Sequence, residues 1–118
     1  MNLSVSDIIL MGNIADLVIS KDIQKSLEEG LLKCKQTLMN LEQKENELSR
    51  QLLIDEVKGE ELYNQYEVFV QYNSQIKQKL NEQIEQLQVL IQNFDRSIDE
   101  LQNVIYSDSH SYLDSHSH

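Results

Sequence analysis

The chain has no proline, no tryptophan and only three glycines among its 118 residues. All-β folds need turn residues every 8–12 positions, so this poverty excludes them, whereas long helices need almost none. Aromatics are only 6% of the chain, too few for the aromatic-rich centre of a small globule. Cys34 is the single cysteine. No intramolecular disulfide can form, which fits a reducing, intracellular and most simply cytoplasmic setting. Basic residues are outnumbered 10 to 20 by acids, for a formal net charge of −10, and they gather in no patch. Phosphate neutralisation, and with it nucleic-acid binding, is disfavoured, as are anionic membrane surfaces. No apolar run reaches the ~18 residues of a membrane span and no basic segment precedes the first apolar stretch. These features predict neither a transmembrane helix nor a cleaved leader.

What is present is aliphatic. Hydrophobic residues make up 40% of the chain, enough to exclude disorder by composition. Most are Leu, Ile and Val. Leu80, Ile84, Leu87, Ile91, Phe94, Ile98, Leu101 and Ile105 form an unbroken 4-3-4-3 ladder. That period belongs to a helix laying one narrow apolar seam against another helix. An earlier row, Leu27, Leu31, Cys34, Leu38, Leu41, Leu48 and Leu52, keeps the same 3/4 spacing, with Glu45 as its polar exception.

Between the two rows lies Asp55-Glu56-Val57-Lys58-Gly59-Glu60-Glu61. A glycine costs roughly 1 kcal/mol in a helix interior, and Glu56 with Glu60 adds a like-charge i,i+4 pair. The chain is expected to bend near 55–60, giving helices over about 21–55 and 60–106. The second would be about 70 Å long at the α-helical rise. A single continuous rod is the competing arrangement.

Residues 1–20 are predicted to form a separate short apolar helix. Ser4 is the expected N-cap, with Asp7 three residues on. Ile8, Met11, Ile14, Ala15 and Val18 share one face, and Ile9, Leu10, Leu17 and Ile19 broaden it nearly all round. Gly12-Asn13 permits a β-hairpin instead, but the alternation is poor and helix is favoured. Ser20-Lys21-Asp22 resembles the cap of the next helix. Residues 107–118 are Ser, Asp and His with one Tyr-Leu pair, expected to form a disordered, flexible tail.

The fold class is therefore all-α: a long antiparallel helical hairpin or coiled coil, with a short N-terminal helix and that tail. Pairing of the two rows within the chain is favoured over pairing between chains, since they are of similar length. Leu80 to Ile105 is expected to supply the main association surface. Tyr63, Tyr66, Phe69 and Tyr72 drift around the helix at spacing three and form a possible second contact. Coverage by residues 1–19 is the plainer expectation for these rings. Glu45, Asn73, Lys77 and Gln83 fall at or beside seam positions. Such polar residues can fix register, although partial exposure at a widened seam is favoured.

Catalytic chemistry has no candidate. His110, His116 and His118 are confined to the tail, and Asp108 and Asp114 beside them build no frame for a metal. No metal and no cofactor are expected. The expected function is that of a non-enzymatic coiled-coil interaction protein, an adaptor or structural subunit in a homo-oligomer or hetero-complex. The rivals are a helical escort of a secreted or toxic client, and an acidic inhibitor occupying a basic groove.

Overall fold

The computed structural model describes residues 2–54 and 59–116, with side chains from 2–52 and 60–110. Apart from Asn2, Leu3 and Ser4, every described residue is α-helical. Helix α1 spans Val5–Ile54 and helix α2 spans Gly59–His116. The two pack as an antiparallel hairpin. The bend expected near 55–60 falls largely on residues 55–58, outside the described residues.

α1 begins as a capping box. The Asp7 N–H donates to Ser4 Oγ at 3.1 Å, and the Ser4 N–H donates to Asp7 Oδ2 at 3.2 Å. Two otherwise unpaired donors of the first turn are thereby satisfied. Ile8 N–H donates to the Ser4 carbonyl at 3.1 Å and closes the turn. α2 begins with Glu60 and Glu61 in its first turn, where carboxylates meet the positive end of the helix dipole.

Two expected boundaries are corrected. No short N-terminal helix is set apart, because α1 runs unbroken through Ser20-Lys21-Asp22. Serine and aspartate cost only tenths of a kcal/mol inside a helix, and propagation from a formed turn is cheap. Gly12 is absorbed for the same reason. At the other end, helical backbone continues past Tyr106 to His116. The Tyr106 and His110 rings stack at i,i+4, with centroids 5.9 Å apart and planes 5° apart, which supports the added turn. Side chains of 111–116 and all of 117–118 lie outside the description.

Contacts group the chain into two units. One joins Met1–Glu28 with Val89–His118; the other is Glu29–Gln88. In the first, the Gln24 side-chain amide donates to Asp95 Oδ1. In the second, Cys34 Sγ donates to Gln83 Oε1 at 3.9 Å and Lys77 Nζ to Glu45 Oε2 at 2.5 Å. Positions rising along α1 thus meet positions falling along α2.

A two-helix seam covers only one stripe of each partner, so most seam residues are half-buried. Among the described residues Ile98, at 6% exposure, is the most enclosed apolar side chain. Ile98→Ala should cost about 2–4 kcal/mol, read as a lowered urea midpoint at constant slope. Gly30→Ala should add roughly 0.5–1 kcal/mol, since a Cβ there meets nothing within 4 Å; a loss of stability in the same titration would contradict this packing.

Candidate interaction surface

The ladder is engaged inside the chain. Leu80, Ile84, Leu87, Ile91, Phe94, Leu101 and Ile105 are half-buried and Ile98 is buried. On α1 the half-buried row is Leu27, Leu31, Cys34, Leu38, Leu41, Glu45 and Leu52. Cys34 holds its place in this row as a free thiol.

The polar seam residues take three different places. Asn73 is only 2% exposed, and its Nδ2 finds no acceptor among the described residues. This departs from the widened seam expected there, because the flanking Leu62, Tyr66, Phe69, Ile76 and Leu80 keep the line closed. Glu45 and Lys77 pair with each other, their side chains 17% and 23% exposed. Glu45 Oε1 stays unpaired. Gln83 is exposed while accepting from Cys34.

The aromatic residues split. Tyr66 and Phe69 are half-buried in the seam, while Tyr63 and Tyr72 are 55% and 67% exposed. Residues 1–19 belong to the other of the two units. The first turns of α1 group with the last part of α2. Near the hairpin bend, Leu48, Leu52, Leu62, Tyr66 and Phe69, with Gln51 and Gln65, line a cleft of about 220 Å³. Its lining suits an apolar side chain.

The largest anomaly lies at the start of α1. Counting back from Leu27 in steps of three and four gives Gln24, Ser20, Leu17, Asn13, Leu10 and Asp7, and these are the half-buried positions. Helix continuity carries the phase of the leucine row into a stretch whose own apolar residues lie elsewhere. Four polar residues, Asp7, Asn13, Ser20 and Gln24, therefore take half-buried positions. Val5, Ile8, Ile9, Met11, Ile14, Val18, Ile19 and Ile23 are left 42–73% exposed. Reading the sequence as apolar all round hid this choice of face; the signal was the backward count from Leu27.

Comparison with known proteins returned no matching family model, no matching curated protein and no matching solved structure. The function must therefore be argued from these surfaces. No described helix is long and apolar enough to cross a membrane. Among the described residues no cluster of three or more His, Cys, Asp or Glu could hold a metal ion. Of the tail histidines, only the side chain of His110 is described.

A buried, unpaired amide costs about 1–3 kcal/mol, so Asn73→Leu should raise stability by about 1–2 kcal/mol. An unchanged or lowered midpoint in chemical denaturation would show that Asn73 does more than fill the seam. Lys77→Ala, which strands the half-buried Glu45 carboxylate, should destabilise by about 1–2 kcal/mol. Replacing both partners by leucine should restore most of that loss, and a thermodynamic cycle over the two sites measures it.

Proposed function

We propose that this chain is a non-enzymatic coiled-coil interaction protein, acting as an adaptor or structural subunit of a larger assembly. The observation that carries the reading is the aliphatic face of residues 5–23. Isolated apolar side chains on a surface need no explanation, but eight exposed ones between Val5 and Ile23 of one helix do. Burying such a face on a partner helix is worth roughly 25 cal/mol per Å² of apolar area. The ladder from Leu80 to Ile105 closes the hairpin, so association passes to the face that the hairpin leaves open. Tyr63, Val68 and Tyr72, all more than half exposed, form the second contact. A reducing compartment suits the free thiol of Cys34.

Site-specific photo-crosslinking in the native cell tests this reading. A photoreactive residue in place of Ile8 should give discrete protein adducts, whereas one in place of the exposed Glu47 should give few. Equal labelling from both positions, or none from either, would remove the basis for an interaction role.

A further inference from the structure

We infer that Glu45, Lys77 and Asn73 act together as a register lock. They select which residues of α1 stand level with which residues of α2, and they do so at a cost in stability.

The three form one polar layer within the unit Glu29–Gln88. Lys77 donates to Glu45 Oε2 across the seam at 2.5 Å. Asn73 is the i−4 neighbour of Lys77 on the same face of α2 and is only 2% exposed. Glu45 Oε1 is a buried acceptor and Asn73 Nδ2 a buried donor, and neither has a partner among the described residues. A seam selected for stability alone would carry leucine at all three positions. A half-buried ion pair gains little over aliphatic packing, and an unpaired amide loses against it.

The aliphatic rows around this layer need such a lock. On α1, Glu45 interrupts a seven-residue repeat with Leu38 and Leu52 on either side. On α2, Lys77 lies between Val70 and Ile84, and Asn73 between Tyr66 and Leu80, again seven residues each way. Sliding one helix by a heptad, about 10 Å, therefore lays apolar row on apolar row in the same phase. The chain has no proline to fix where it turns. Aliphatic contact by itself separates such registers poorly, and a polar seam position separates them well.

Here the separation comes from charge. After a slide of one heptad, Glu45 comes against Val70 and Tyr66, or against Ile84 and Leu80. Lys77 comes against Leu38 or Leu52. Each charge then loses its partner while still facing an aliphatic wall, which is far more costly than parting an exposed pair. Only one register lets the acid and the lysine meet.

The test reads one distance in three chains. Each carries Cys34→Ser and spin labels on Glu47→Cys and Glu85→Cys, exposed positions of the same unit on opposite helices. Labelled chain is diluted with unlabelled chain, so that only pairs within one molecule are read by electron–electron resonance. The parent should give a single distance. Glu45→Leu, Asn73→Leu and Lys77→Leu together should raise the urea midpoint and add a second distance. Glu45→Leu with Leu38→Glu, which moves the acid one heptad along α1, should lengthen the main distance by about 5–10 Å, because Lys77 follows the acid. Two distances in the parent overturn the inference, as does a single unchanged distance in the leucine chain. A relocated acid that leaves the distance where it was also overturns it. If the relocated acid unfolds the hairpin, the leucine chain decides, since it has no seam charge to strand.

Discussion

The contact on which the rest depends is the aliphatic seam between the leucine row of α1 and the Ile/Leu ladder of α2. A long helix with polar outer faces gains most of its stability from packing one apolar stripe. Here each helix supplies that stripe to the other. Two helices in contact cover only part of each other's surface, and the observed burial shows it: most seam positions are half-buried, with Ile98 and Asn73 the exceptions. Stability is therefore spread along many moderate contacts. Polar interruptions such as Glu45 are tolerable where a long cation like Lys77 can reach them.

That same seam creates the conflict at the start of α1. The half-buried positions of residues 5–24 continue the 3/4 count from Leu27. Asn13, Ser20 and Gln24 are carried inward, and Ile8, Met11, Val18 and Ile19 are carried outward. Gln24 finds Asp95, which softens the cost of its placement. Local pattern and global packing disagree over this stretch and agree over most of the rest. Such disagreement marks the places where a chain spends stability on a task other than folding. A uniformly satisfied hairpin would have put the isoleucines inside.

Much of the architecture was legible from residues alone. The absence of proline, the 3/4 rows and the Ser4–Asp7 cap all translate directly into the observed helices, because each rests on local chemistry. The misjudged boundaries have one cause. Ser20-Lys21-Asp22 and Ser107-Asp108-Ser109 resemble helix ends, yet residues that favour caps also sit inside helices at a small penalty when no glycine or proline forces a stop. The outward face was hidden for another reason. Residues 8–19 are apolar nearly all round, so their own periodicity does not say which stripe turns inward; the count back from Leu27 does. Asn73 was recognisable as a seam residue, but its full enclosure depends on how closely its neighbours pack.

The most direct measurement is single-molecule energy transfer between dyes at Lys35 and Glu82, exposed positions of the same unit on opposite helices. At picomolar concentration all but the tightest oligomers dissociate. High transfer under those conditions is predicted, because the ladder closes the hairpin within one chain. Low transfer that rises only when unlabelled chain is added would contradict the account, and would return the Ile/Leu ladder to the role of an intermolecular seam.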